Sequence, residues 1–325
     1  MTGISKAQLD SAISAIVESG ESEPPADGQA RHAELSALRR THYERLRSEF
    51  ADADAGFLGR LQALSREYRD EVASVLERRA PTVESGAVEP TRSDREWIDN
   101  RKAVYELIAG RPLVTFPVVI DAPVAIYSTP SSSLIDSHIE RWGSWATWLR
   151  QDVREANWEL PAPHFKTASL NFLFAWQNDS ANPVVIKRAS ADLSLRGHCE
   201  AIAWPTDWSL VDSNVDLALR AHHRVYLAST AITGYDEYIF YRVAHALPVL
   251  LGGTHEDIEN VELDLVKHLA CHDIVVPSNR LAIFQVGILT EHLIMNGSVN
   301  YFFTGSGRRI LCPSLALELS LVVHP

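Results

Sequence analysis

The chain has 325 residues, of which 46% are hydrophobic and 22% are charged. These are ordinary values for globular domains, and they exclude wholesale disorder, collagen-like repeats and a disulfide-stapled miniprotein. Asp and Glu number 42 against 30 Lys and Arg, so the net charge is −12. Because nucleic acids and anionic lipids attract positively charged protein surfaces, we expect no nucleic-acid partner and no loose adsorption to acidic lipid.

Residues 5–19 carry apolar side chains at helical spacing, and Gly20 is a suitable helix stop. Residues 21–29 are acidic and contain two prolines, which is typical of a linker. We therefore predict that residues 1–30 form an amphipathic arm and a linker, and that the arm reaches a neighbouring subunit. The apolar stripe of this assembly arm consists of Leu9, Ile13, Ile16 and Val17.

Residues 31–163 are predicted to form a helical domain. Its first part, residues 31–80, has an apolar stripe and a charge-balanced outer face, but Gly56 and Gly59 interrupt it. Because a glycine costs about 1 kcal/mol inside a helix, we favour a helical hairpin that turns near residues 52–59. One long kinked helix is the alternative.

Three further segments complete the predicted helical domain. Residues 93–109 begin with the capping-box pair Ser93 and Glu96, which predicts a helix. Residues 113–128 are apolar but interrupted by prolines, which predicts a short β segment of edge strands or an extended crossing. Residues 133–156 carry several tryptophans along an apolar stripe, which predicts a Trp-rich helix.

From Thr167 onward the apolar residues alternate along the chain, which is the period of a β-strand. Candidate strands follow one another without helical patterns between them, and Gly197 suggests a bulge in one of them. Residues 164–325 are therefore predicted to form an antiparallel β-sandwich or jelly-roll-like domain. The predicted fold class is α+β: an N-terminal helical region (helical hairpin plus Trp-rich helix) followed by this β-sandwich.

One short cluster supplies the residue types that bind divalent metals: His268, Cys271, His272 and Asp273. In a helix the two histidines would lie one turn apart and could share a metal. In a strand, which the flanking pattern favours, they point the same way but lie about 13 Å apart. We expect no cofactor, and a divalent metal at these four residues is the alternative.

The tryptophans provide candidate ligand contacts. Trp142 and Trp145 lie on the apolar stripe of the predicted helix, so we assign them to core packing. Trp148 lies partly off that stripe and is a candidate for binding a sugar or a base. Trp204 and Trp208 are candidates for a glycan-binding loop of the sandwich.

The sequence contains no nucleophile motif, so we favour a protein without enzymatic activity. His222 and His223 are adjacent, and we interpret them as a solvated strand entry because neighbouring strand residues face opposite sides. Three widely spaced cysteines predict buried free thiols rather than disulfides. No stretch reaches about 18 uninterrupted apolar residues, and the N-terminus does not resemble a signal peptide. We expect a cytoplasmic protein, or one exported without a cleavable signal peptide.

The favoured functional hypothesis is a non-enzymatic structural or interaction protein. It would self-assemble or dock through its helical half and N-terminal arm, as a homo-oligomer or with a protein partner. One alternative is a pore-forming, toxin-like protein, and only this alternative implies a membrane as partner. The other alternative is a glycan-binding or metal-dependent β-sandwich protein.

Overall fold

The computed structural model describes residues 6–20, 113–154, 164–204, 213–227, 229–246, 256–305 and 307–322, together with isolated positions between 34 and 74. Strands make up 68% of the described structure, and they form two antiparallel sheets. The two sheets pack face to face around one hydrophobic core, so the described fold is a β-sandwich.

The larger sheet has eight strands. These are β1 (Leu113–Ile120), β3 (Leu134–His138), β4 (Trp145–Arg154), β6 (Val184–Ala203), β9 (Asp257–Val276), β11 (Gly297–Phe303), β12 (Arg309–Leu311) and β13 (Leu315–Val322). The smaller sheet has five strands in the order β2-β5-β10-β7-β8. These are β2 (Ala125–Thr129), β5 (His164–Gln177), β7 (Ser213–Leu227), β8 (Thr230–Ala246) and β10 (Leu281–Ile294).

Strand β6 organises the eight-stranded sheet because it is 20 residues long. One side of β6 pairs with β9 along its whole length, and the other side pairs in turn with β13, β12 and β11. Beyond them, β13 pairs with β1, while β11 and β12 both pair with β4, which pairs with β3. This arrangement places β3 at an edge of the larger sheet.

The core follows the two-residue period of the strands. On β10, for example, Phe284, Val286 and Ile288 are fully buried in the core between the sheets. Ile283 is equally buried, but it belongs to a second, smaller apolar cluster on the outer face of the five-stranded sheet. The alternation therefore divides each strand of this sheet into an inner and an outer row.

Helix α1 (Lys6–Gly20) covers part of that outer face. The predicted helix at residues 5–19 is confirmed, and its apolar stripe faces the chain's own sheet. Ala12 and Ile16 of α1 are buried against Leu173, Tyr226 and Ile283. Of the remaining residues of the predicted arm, Ile13 packs against the same cluster, and Leu9 and Val17 are half-buried.

The predicted α+β class is wrong. The described residues contain one helix of seven or more residues, α1, and the Trp-rich helix is not among their elements. Most of the predicted helical hairpin, residues 31–80, lies outside the described residues; the isolated positions described there are helical apart from a turn at Gly56. Residues 145–154 of the expected Trp-rich helix form strand β4 instead. The physical reason is that aromatic and β-branched side chains fit a pleated sheet better than a helix, and Gly143 precedes them as a turn residue. The helix expected at residues 93–109 lies outside the described residues.

The predicted strand content after residue 164 is confirmed, and several strands are longer than expected. Strand β7 runs without a break for 15 residues, and β9 runs for 20 residues. Gly197 does not mark a bulge: β6 runs in regular register there. A Cβ at this position would lie 2.4 Å from the Phe303 ring, so glycine permits close packing instead.

Two further expectations concern cysteines and membrane spans. Cys199, Cys271 and Cys312 are all free and buried, as predicted. Within the described ranges, no helix combines the length and the hydrophobicity that a bilayer crossing requires.

Candidate functional site

The most exposed tryptophan of the described residues lies in the turn between β3 and β4, which we call the Trp142 loop (residues 139–144). Trp142 is 57% exposed. Its backbone has a φ of 64°, in the left-handed region that costs a non-glycine residue about 1–2 kcal/mol. Strain of this kind persists where the surrounding structure holds it in place, and it is concentrated at functional sites.

Hydrogen bonds at both ends hold the Trp142 loop. The Trp142 N–H donates to the Asp121 carbonyl oxygen at 2.7 Å. The buried Ser144 hydroxyl accepts from the Glu140 N–H at 3.0 Å and donates to the Glu140 carbonyl at 2.8 Å. The Arg141 guanidinium pairs with the Asp121 carboxylate at 2.6 Å. The loop is therefore a built structure that presents an indole to solvent.

Polar and apolar side chains lie in the Trp142 loop and in the strand ends that flank it. The Glu140 and His138 side chains are 52% and 55% exposed and lie 3.3 Å apart. The ring centroids of His138 and the half-buried Trp145 are 6.0 Å apart. Ile139, 45% exposed, adds apolar surface. An exposed aromatic face flanked by hydrogen-bonding groups suits a ligand that is apolar on one side and polar at its edges.

Gly143 contributes to this arrangement. A Cβ at position 143 would lie 2.5 Å from Glu140 Oε1. The glycine therefore leaves room for the Glu140 carboxylate beside the loop.

A second polar cluster lies on the outer face of the five-stranded sheet, beside α1. Tyr127, Asn171, Gly287, His222 and Asp236 are register partners across all five strands. Asn171 is 1% exposed and His222 is 2% exposed. Because polar side chains are rarely so buried without partners, their hydrogen bonds decide whether this row is stable.

The row is joined by hydrogen bonds with a consistent direction. The Tyr226 hydroxyl donates to Gln285 Oε1 at 2.6 Å. Gln285 Nε2 donates to Asn171 Oδ1 at 2.8 Å and to the Tyr127 hydroxyl at 2.8 Å. Asn171 Oδ1 also accepts from His222 Nε2 at 2.7 Å. Because an amide oxygen only accepts, the His222 proton lies on Nε2.

Burial controls the charge of these groups. Burial, together with nearby Arg224 and His223, lowers the pKa of His222 well below its usual 6.5, so the ring is neutral at pH 7. His222 Nδ1 is buried and has no hydrogen-bond partner among the described residues. Burial also raises the pKa of Tyr127 above its usual value, so that hydroxyl stays protonated.

A third cluster lies between the sheets, around Asp152. Lys166 Nζ lies 2.6 Å from Asp152 Oδ1, and Arg150 Nε lies 2.6 Å from Oδ2. His292 Nε2 is 3.0 Å from the same carboxylate. Burial opposes the charge, but hydrogen bonds from His292 and Lys166 hold the pKa of Asp152 well below its usual range. Asp152 and its three basic neighbours form an ion cluster that joins β4, β5 and β10, and we assign this cluster a structural role.

The predicted metal ligands all lie on β9, but they do not converge. His268 and His272 are exposed on the outer face of the eight-stranded sheet, whereas Cys271 is buried on the inner face. His268 Nδ1 instead lies 2.8 Å from Asp192 Oδ1. Asp273 has a φ of 53° at the bend of the strand. No group of three or more metal-binding side chains occurs among the residues that the structure describes.

The predicted ligand-binding tryptophans lie in different places. Trp148 is fully buried, and its indole N–H donates to the Ser128 hydroxyl at 2.8 Å. Trp204 is half-buried at the end of β6, and its carbonyl oxygen accepts a hydrogen bond from Asn296. Trp208 lies outside the described residues.

Sequence reasoning assigned three important residues to the wrong environment. It placed Trp142 in a helical core, although the structure exposes it, and it placed His222 and His223 in solvent, although both are buried. Gly143 within this segment is a signal that argues against a continuous helix. No comparable signal marks the histidines, because their burial depends on what covers each face of the sheet.

Comparisons with known proteins give no family assignment. No protein-family model matches the chain, and no curated protein matches it. A solved structure, TmCBM61 in complex with β-1,4-galactotriose, is similar over 67% of this chain and 94% of that chain, at 11% identity and a TM-score of 0.16. The structure of the infectious bursal disease virus Gx strain is similar over 66% of this chain and 61% of that chain, at 12% identity and a TM-score of 0.08. Likenesses this low carry no argument about fold or function.

Proposed function

We propose that this protein is a non-catalytic glycan-binding β-sandwich and that the Trp142 loop is its ligand site. The observation that carries the proposal is the backbone of Trp142: a bulky aromatic residue is held in a left-handed conformation with its side chain 57% exposed. Neither core packing nor solubility explains that combination, because the strain has no compensating burial.

The chemistry of the loop supports a sugar ligand. One face of a pyranose ring presents C–H groups that pack on an indole, and its edge presents hydroxyls that both donate and accept. In the same loop the Glu140 carboxylate accepts hydrogen bonds, and the His138 ring at the end of β3 carries two nitrogens that form hydrogen bonds. Both side chains are about half exposed and therefore accessible to a ligand.

This proposal replaces self-assembly through the helical half as the favoured function. The arm that was expected to reach a neighbour packs on the chain's own sheet through Ile16. The tryptophans that supported a toxin-like helix belong to a strand and a turn.

A glycan array followed by titration calorimetry tests the proposal. Trp142→Ala should weaken binding of any glycan found by at least about 30-fold, which corresponds to the roughly 2 kcal/mol of a tryptophan hot spot. Tyr235→Ala is the matched control, because Tyr235 is 41% exposed but lies on β8, at the other edge of the five-stranded sheet from β2. An array without signal, or equal losses for the two variants, would refute the proposal.

Gly143→Ala provides a finer test. The added methyl group would displace the Glu140 carboxylate, because it would lie 2.5 Å from Oε1. We expect weaker glycan binding with little change in thermal stability, since the flexible end of the Glu140 side chain can move away. Unchanged affinity would remove Glu140 from the site.

A further inference from the structure

A row of directly opposed residues crosses the outer face of the eight-stranded sheet and begins beside the Trp142 loop, and we call it the outer row. The loop connects β3 to β4, and the row starts with the two strand residues that flank the loop. Directly opposed residues of antiparallel strands lie on the same face of a sheet. The members, in order across the sheet, are His138 on β3, Trp145 on β4, Leu311 on β12, Ser194 on β6 and Val266 on β9.

The outer row is mostly apolar, and its ends are accessible. Val266 is 64% exposed, although valine is one of the residues most often buried in proteins. The side chains of Trp145 and Leu311 are half-buried. The His138 ring is more than half exposed and lies 6.0 Å from the Trp145 ring, centroid to centroid. Since neighbouring strands are about 4.8 Å apart, the row spans about 19 Å from β3 to β9, which is the length of several sugar rings.

Exposed polar pairs flank the outer row on both sides. On one side, Arg196 Nη2 lies 3.2 Å from Asp264 Oδ1. On the other side, His268 Nδ1 lies 2.8 Å from Asp192 Oδ1. Both pairs join β6 to β9, one on each side of Ser194 along β6, and all four side chains are more than half exposed. Toward β9, the outer row is therefore an apolar track between two pairs of hydrogen-bonding groups.

We propose that the outer row continues the ligand site of the Trp142 loop, so that the protein binds several successive sugars of a linear, neutral polysaccharide; this inference rests on the proposed function of the loop. Successive pyranose rings present C–H faces that pack on apolar side chains and hydroxyl edges that suit the flanking polar pairs. The narrow track suits a chain-like ligand, whereas a globular partner would need about 800 Å² of surface on each side. A polysaccharide of uronic acids would be repelled, because the protein carries a net charge of −12.

The dependence of affinity on glycan length tests this inference. Titration calorimetry with the full chain compares the disaccharide and the hexasaccharide of cellulose, mannan, xylan and galactan. In a series that binds, the hexasaccharide should bind at least about tenfold more tightly than the disaccharide, because only the longer chain reaches Val266. Val266→Asp should remove most of this ratio and leave the affinity for the disaccharide unchanged. Val153→Asp is the matched control, because Val153 is also 64% exposed on this sheet but lies at the far end of β4 from the loop.

The outcomes separate this inference from the proposal for the loop. Equal wild-type affinities for the two lengths would overturn the outer row as a binding surface and leave the Trp142 site in place. Equal losses in Val266→Asp and Val153→Asp would also overturn it, because added negative charge would then explain both losses. If no member of the panel binds, the outer row is refuted, and the glycan array decides whether the proposal for the loop fails too. Circular dichroism checks the fold of each variant, and Val266→Ser replaces Val266→Asp if the sheet signal is lost.

Discussion

Asn171 and His222 are hydrogen-bonded to each other over the central strand of the five-stranded sheet. Both residues pair with Gly287, Asn171 from β5 and His222 from β7. Their side chains meet at 2.7 Å above the glycine. Any side chain at position 287 would occupy that space, so the glycine is what allows two neighbouring strands to be joined across a third.

Replacing this glycine should therefore be severe. A Cβ at position 287 would lie 2.0 Å from the Leu170 carbonyl oxygen and 2.9 Å from Asn171 Oδ1. Because the first of these atoms belongs to the backbone, it cannot move without disturbing β5. We expect Gly287→Ala to lower the free energy of unfolding by about 3 kcal/mol or more, measured by urea denaturation.

The matched control for this substitution is Gly234→Ala on β8 of the same sheet. The nearest atom to a Cβ at position 234 is Arg224 Cγ at 3.3 Å, in a flexible side chain. Its effect should stay within about 1 kcal/mol. Equal losses of unfolding free energy for the two substitutions would show that the polar row of Asn171 and His222 does not need a residue without a side chain at position 287.

The buried histidines should make the protein sensitive to mild acid. Burial lowers the pKa of His223 to about 4 and that of His222 well below 6.5. In the unfolded chain both rings gain protons as the pH falls through about 6.5, whereas the folded rings stay neutral. The contribution of the two neutral histidines to stability is therefore fully present above about pH 6.5, and it is lost as the pH decreases toward about 4.

Urea denaturation at pH 8 and pH 5 measures this loss. At pH 5 each histidine should cost about 2 kcal/mol relative to pH 8. In His223→Gln, the loss of unfolding free energy between pH 8 and pH 5 should be smaller than in wild type by about 2 kcal/mol, the contribution of one histidine. This holds whatever the substitution does to stability at pH 8. A difference that His223→Gln leaves unchanged would contradict the buried, neutral state of this ring.

Trp148 should contribute to stability and not to ligand binding. Its indole N–H donates to the Ser128 hydroxyl at 2.8 Å, inside the core. Trp148→Phe removes this bond, although the Ser128 hydroxyl still donates to the Pro130 carbonyl oxygen at 2.9 Å. Ser128→Ala leaves the indole N–H buried without a partner, so it should cost about 1–3 kcal/mol, and Trp148→Phe should cost less. The double variant should cost less than the two single losses combined, because both single variants lose the same indole–hydroxyl bond.

The binding assay gives the second readout for Trp148. Glycan affinity at the Trp142 loop should be the same in Trp148→Phe as in wild type. A selective loss of affinity with unchanged stability would instead restore Trp148 as a ligand contact.

Backbone strain at Trp142 can be separated from its side chain. Trp142→Gly should raise the free energy of unfolding by about 1 kcal/mol over Trp142→Ala, because glycine adopts a φ of 64° without steric cost. Both variants should lose glycan binding alike. Thermal denaturation of the pair measures the strain, and a glycine variant less stable than the alanine variant would show that the left-handed backbone is unstrained.

The sequence pattern predicted the secondary structure correctly in some segments and wrongly in others. The alternation after Thr167 correctly predicted strands, because alternate burial is a local property of a pleated chain. The same reasoning failed for residues 133–156, where apolar residues also match helical spacing. There, pairing of β4 with β3 and β11 decided the conformation, and a single sequence does not encode which distant strand supplies the hydrogen bonds.

The sequence by itself determined the apolar stripe of α1, the strand content of the C-terminal half and the three buried thiols. Each of these follows from the order of apolar and polar residues along the chain. Only the tertiary structure decided that Trp142 is exposed, that Trp148 is buried, and that Asn171 meets His222 over Gly287. Those facts depend on strand register and on which face of each sheet is covered, since the partners lie tens of residues apart and adjacent side chains face opposite sides.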